Sequence, residues 1–202
     1  MTFTQRIEDL VGVVDDVTGL DQHCSDEAEI MLRQLPDAVV LTKASRYYHT
    51  GSAGWPVIGK RVIKVNRGGY ACRKIEGGDY ARFTTSGHLE EGHQQTPVFY
   101  IRVTATDSRL FVYPAPANPS YGDVWYVAYP SIDADTDTSK ANLPEGTEEL
   151  VAVGAARRVL QRRKADAEGE NDVEIAAEIT QQIATLNQLY DKKLETFMVQ
   201  QQ

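Results

Sequence analysis

Across residues 172 to 199 the apolar side chains Ala176, Ile179, Ile183, Leu186, Tyr190, Leu194 and Phe197 follow one another at steps of three or four. A helix alone holds all seven on one side, so this stretch is helical and needs a surface to lie against. At 1.5 Å per residue such a helix is about 40 Å long. That is more than a small core covers, so one end is expected to pack on a neighbouring subunit or to project as an arm.

Helical spacing also marks the other end of the chain. Phe3, Ile7, Leu10, Val11 and Val14 predict a helix over about 3 to 14. Ser25 reads as the N-cap of a second, running through Ile30, Met31 and Leu32, and Pro36 opens a short third containing Val39, Val40 and Leu41. Between about 44 and 140 the character changes to Tyr, Val, Gly and Pro with apolar and polar residues alternating. Candidate strands are 57 to 65, 70 to 75, 80 to 84, 98 to 103, 109 to 113 and 124 to 129. They are separated by Arg67-Gly68-Gly69, Glu76-Gly77-Gly78-Asp79, Asp107-Ser108 and YPAPANPSYG. Short strands with tight turns predict antiparallel pairing. After SIDADTDTSKAN a helix begins near Pro144 and uses Leu150, Val151, Val153, Val159 and Leu160 up to about Lys164, and AEGEN separates it from the last helix. The expected fold is α+β. Residues 1 to 43 and 141 to 202 form a helical bundle, and an antiparallel β domain, 44 to 140, is inserted between them.

Composition narrows the function. A net charge of -8 opposes a general phosphate-neutralising surface and disfavours a dedicated nucleic-acid binder. No apolar run approaches the ~20 residues that cross a bilayer, and MTFTQRIEDL has no hydrophobic signal core, so no membrane partner and a cytoplasm-like setting are expected. Cys24 and Cys72 lack CxxC spacing and read as buried free thiols.

Motifs that carry chemistry fail on inspection. GWPVIGKR, from Gly54 through Gly59, Lys60 and Arg61, approaches the phosphate-binding loop G-x-x-x-x-G-K-[ST]. However, Arg61 replaces the magnesium-binding hydroxyl and a strand signal, VIKV, follows in place of a helix. Asp133, Asp135 and Asp137 have the alternate spacing of a calcium loop, but Thr138 stands at the glycine position and Pro144 at the twelfth. His23, His49, His88 and His93 form no catalytic or zinc pattern. No catalytic, cofactor-binding or metal-binding residue is assigned, no cofactor is expected, and the expectation is a protein that is not an enzyme. Two features remain. The basic segment Arg157, Arg158, Arg162, Arg163 and Lys164 could face DNA in a channel or an acidic partner, or could pair with acidic side chains of its own or a neighbouring subunit near a helix C-terminus. Trp55, Trp125, Tyr100, Tyr113, Tyr121, Tyr126 and Tyr129 read as core or cross-strand pairs, with an interface as the alternative.

The segments VNRGGYACRKI (65 to 75), TPVFYIRV (96 to 103), RLFVYPAP (109 to 116), WYVAYPSID (125 to 133) and LPEGTEELVAVGAARRVLQRRKADAE (143 to 168), with the final helix, resemble in pattern and order the head-to-tail connector or adaptor proteins of tailed phages. The resemblance spans roughly residues 57 to 195. It implies a virion neck protein that assembles, in the host cytoplasm, as a homo-oligomeric ring, typically dodecameric, beneath the portal. It also implies contact with a tail or stopper protein, and DNA passing through without sequence recognition. On this reading the end of the last helix, Tyr190, Leu194, Phe197, Met198 and Val199, docks on the portal. Net negative charge suits a channel that must not retain DNA. The alternatives are a tail-side stopper, terminator or minor virion protein, and, from another class, a small enzyme or ligand-binding module using the β domain. A DNA-binding regulator acting through the basic segment ranks lower.

Overall fold

The computed structural model describes residues 1–14, 17–49, 52–85, 91–116, 122–136 and 142–200. The fold is α+β, with helices from both ends of the chain and an antiparallel β insertion. It divides into two compact units, residues 1–39 with 129–202, and residues 40–128.

The helical unit is built around one helix. Helix α5 (Glu148–Gly169) buries Leu150 through Ala156 without a break, then Val159 and Leu160. A helix apolar on every side must be covered on every side. It is covered by α1 (Phe3–Val11), α2 (Val17–Gln34) and α6 (Val173–Gln200), each of which packs on it. Helix α1 opens with a capping box: Thr2 Oγ1 accepts from Gln5 N at 3.3 Å and Gln5 Oε1 accepts from Thr2 N at 3.0 Å. It stops at Val11, short of the expected 14, because Gly12 takes φ 77° and the Gly12 N–H bonds back to Glu8 O. Helix α5 runs on past Lys164 to Gly169, so part of the expected linker is helical. The chain turns at Asn171, φ 61°, where Asp172 N reaches Ala167 O and Asn171 N reaches Glu168 O.

Ser25 is not an N-cap. It sits inside α2, where its hydroxyl donates to Asp21 O and accepts from Ile132 N at 2.9 Å. Beside it Asp21 Oδ1 accepts from Ala134 N at 2.7 Å, and Thr4 N donates to Ala134 O at 3.1 Å. With Ile132 and Ala134 buried, these bonds hold 132–135 against α1 and α2. The β unit therefore ends at Ala128 and not at 140, because Ile132 N and both backbone groups of Ala134 bond α1 and α2. The short α3 (Asp37–Val40) and a 3-10 turn (Leu41–Lys43) lead into the β unit.

The β unit has two four-stranded sheets. One has the order β1 (Ser45–His49), β8 (Gly122–Ala128), β3 (Lys60–Arg67), β4 (Tyr70–Ala71); the other has β2 (Trp55–Pro56), β7 (Ser108–Tyr113), β6 (Val98–Val103), β5 (Arg73–Lys74). Among the described residues every pairing is antiparallel except the short parallel β5–β6 contact. Inward residues of both sheets, Trp55, Val65, Phe99, Leu110, Val112 and Val124 among them, make one core. Residues 80 to 84 form a helix, α4 (Tyr80–Thr84), in place of the expected strand. A 3-10 turn at Gly77–Asp79 starts it, Tyr80 and Phe83 fall on one side, and Thr84 and Thr85 hydroxyls bond back to Tyr80 O and Ala81 O.

Candidate functional site

The basic segment lies on α5 and turns into its own unit. Glu27 of α2 is 1% exposed. Its Oε1 accepts from Arg158 Nε at 2.5 Å and lies 3.4 Å from an Arg157 terminal nitrogen, while Arg158 also reaches Asp26 at 3.3 Å. Arg157 lies over the Tyr190 ring, 5.7 Å from its centroid, and bonds Asn187 of α6. Helix α5 makes room at Gly154, where an added Cβ would stand 2.5 Å from Glu27 Oε2. Glu27 Oε2 and Arg157 Nε have no hydrogen-bond partner among the described residues. Arg163 donates to the carbonyls of Val11 and Val13, using its cation to close the end of α1. Lys164 pairs with Glu168, and Arg162 lines a groove of about 180 Å³ with His23 and Asp166. The partners of Arg157 and Arg158 thus come from α2 and α6, not from the acidic run at 168 to 178.

The stripe on α6 is covered by the helical unit itself. Tyr190 and Phe197 are buried with Ala176, Ile179 and Leu186, Leu194 and Met198 are half-buried, and Val199 is 65% exposed. Phe197 packs at the turn before α5, 3.8 Å from where a Cβ on Gly146 would be. The end of α6 is therefore not a free arm, since α5 is long enough to receive it. Of the five residues assigned to docking, Val199 is the one exposed. Lys193 of α6 bonds Glu149 of α5 and holds its carboxyl below the usual range.

The remaining motifs have structural uses. Lys60 begins β3, bonds Pro56 O at 3.1 Å and lies over the Trp55 ring. Asp133 Oδ1 accepts from Asp135 N and Thr136 N, and Asp135 accepts from the Thr4 hydroxyl. Asp137, His88 and Tyr121 lie outside the described residues. No group of three metal-ligating side chains occurs among the described residues, and none of their helices is long and apolar enough to cross a membrane. Both cysteines are free thiols; Cys24 is buried as expected, whereas Cys72 is half-buried, and that burial pushes its thiol up to about 12. Trp55 and Tyr126 belong to the core between the sheets, whereas Tyr129 lies under Arg33 and raises its pKa through a hydrogen bond.

One site was not anticipated. On β6 and β7 the registers Tyr100↔Phe111 and Arg102↔Arg109 place an aromatic pair and a basic pair side by side on the face turned away from the inter-sheet core, where Tyr100 packs on a second buried cluster of Ile75, Phe83 and Val98. The Tyr100 and Phe111 rings stack at 5.2 Å and 13°, and Tyr80 tilts against Tyr100 at 4.7 Å. Burial, helped by the Tyr80 hydroxyl, pushes Tyr100 up to about 12. Around these lies a groove of about 250 Å³ that also takes in His49, Ser52 and Gly54. Gly54, φ 72°, fits because a Cβ there would stand 2.7 Å from Phe111. Overall composition concealed a further property. Residues 40–128 hold 11 Lys plus Arg against six Asp plus Glu, a formal charge of +5, which leaves -13 on the helical unit. The chain matches no protein-family model and no curated protein sequence.

Proposed function

We propose that this chain is a non-enzymatic structural subunit of the tailed-phage head-to-tail connection. In this reading it is an adaptor forming a homo-oligomeric ring between portal and tail and continuing the channel through which DNA passes. It is assembled in the host cytoplasm and retained in the virion. The observation that carries the reading is the division of charge, +5 on the β unit and -13 on the helical unit. A subunit with one basic and one acidic unit is electrostatically complementary to further copies of itself. A heterologous contact of that kind closes into a ring when its rotation divides the circle. The acidic unit gives passing DNA little to adhere to.

With Tyr190 and Phe197 committed to the helical unit, portal or tail docking through α6 falls to its exposed residue Val199 and the half-buried Leu194 and Met198. The test is to mix the protein with purified portal rings, and separately with tail, and to follow complexes by sedimentation and negative-stain imaging. Wild type should add a ring to one face of the portal, and Val199→Asp, which changes no buried side chain, should weaken that complex about tenfold or more, the order of effect of a docking anchor. Rings that join the tail and not the portal would overturn the adaptor reading in favour of a tail-side stopper. Binding to neither would remove the connector reading altogether.

A further inference from the structure

The face of the β6–β7 hairpin turned away from the inter-sheet core carries a second apolar cluster, Ile75, Phe83 and Val98 with Tyr100 and Tyr113 against it, and beside it a basic pair that this packing does not explain. Arg102 and Arg109 stand directly opposite each other, and like charges in that position repel. Arg109 is neutralised by Asp107 at 2.5 Å and bonds Ala53 O at 3.2 Å. Arg102 is exposed and forms no hydrogen bond or ion pair among the described residues. One row along, Tyr100 and Phe111 lie nearly parallel, and Tyr80, 43% exposed, tilts against Tyr100 at 59°. An unmatched guanidinium two residues along a strand from aromatic rings is a pairing of anion and flat-ring recognition.

We infer that this groove binds single-stranded nucleic acid, with Arg102 taking a backbone phosphate and the exposed Tyr80 ring, braced by Tyr100, stacking the adjoining base. Stacking on aromatic side chains is available to an unpaired base and not to one inside a duplex. At about 250 Å³ the groove is smaller than a pocket that encloses a whole small ligand, so most of the strand would lie outside it. The groove belongs to the unit whose formal charge is +5. A neutral sugar would use the rings and leave Arg102 unmatched. An acidic peptide would use Arg102 and leave the rings idle. The inference is independent of the connector reading, since it rests on the hairpin alone.

The experiment measures fluorescence anisotropy of a short labelled oligo-dT with the full chain as salt is raised, with duplex DNA of the same length and free thymidine monophosphate as competitors. The expected result is salt-weakened binding of oligo-dT, with both competitors far weaker. Arg102→Glu and Tyr80→Ala should each lower affinity about tenfold, within the range of losing one stacked base or its phosphate anchor. Lys192→Glu, the same charge change on the exposed side of α6, should leave it unchanged. Arg102 is a surface residue, so Arg102→Glu should melt with wild type; Tyr80→Ala also loses the ring contact with Tyr100, so its affinity is measured well below its own melting temperature. Absence of binding at low salt, equal competition by duplex, or equal losses for Arg102→Glu and Lys192→Glu would overturn the site. Thymidine monophosphate competing as well as the strand would reassign it to free nucleotides and overturn the strand assignment.

Discussion

At the scale of single residues, Glu27 decides how the basic segment is used. Its carboxylate is 1% exposed, whereas the Arg157 and Arg158 side chains are 29% and 28% exposed. The two sides of this ion pair are therefore not equivalent. Removing Glu27 leaves cations that can turn to water, but removing both arginines strands a buried charge, which costs about 3–5 kcal/mol. Arg157→Ala with Arg158→Ala should lower unfolding free energy in urea by that order. Adding Glu27→Leu should recover most of the loss, because an apolar side chain fits beside Gly154 without a partner. If the triple variant is no more stable than the double, Glu27 is not the source of the cost. The pairing was hidden in the sequence for a physical reason. Glu27 and Arg158 are 131 residues apart, and the acids nearest the segment in sequence, Glu168 to Glu178, offered a local alternative.

At the scale of elements, periodicity was legible wherever one face of an element meets one neighbour. Helix α6, strand β6 and strand β7 emerged close to their expected limits. Legibility failed where other forces set the backbone. Tyr80 to Thr84 has a strand's residue types, but a short amphipathic turn buries Phe83 more simply. Strand β1, SRYYH, is an exposed edge with little alternation to read. Ser25 resembled a cap because a hydroxyl that serves Ile132 N has the same residue type as one that serves a helix start. The α5–α6 pairing makes its own prediction. The Lys193 ammonium lowers the Glu149 pKa, so the folded value lies below the ordinary 4.5. A depressed carboxyl contributes stability that is present above its unfolded pKa and lost as pH falls through the folded one. The pair is largely exposed, so the contribution is no more than about 1 kcal/mol. Carboxyl NMR titration should find Glu149 below 4.5 in the wild type, and Lys193→Ala should return it towards 4.5. An unchanged Glu149 in that variant would show that Lys193 is not the cause.

For the whole molecule, a total of -8 misled because it averages two units of opposite sign. The sequence contained the division all along, but it becomes countable when the boundary at Ala128 is known, and that boundary depends on hydrogen bonds from Ser25, Asp21 and Thr4 to a segment more than 100 residues away. If copies assemble by placing a +5 unit against a -13 unit, the association is electrostatic over long range and must weaken as salt screens it, from a Debye length of ~30 Å at 0.01 M to ~3 Å at 1 M. Contacts between apolar faces behave differently, since salts that strengthen effective burial hold or tighten them. Sedimentation velocity across that salt series should therefore show rings giving way to smaller species as salt rises. Glu174→Lys with Glu178→Lys, on the exposed face of α6, should shift the midpoint to lower salt by weakening the acidic unit. Rings that persist unchanged at 1 M salt, and a variant indistinguishable from wild type, would place the assembly energy in apolar contacts and remove charge division as a driving force for assembly.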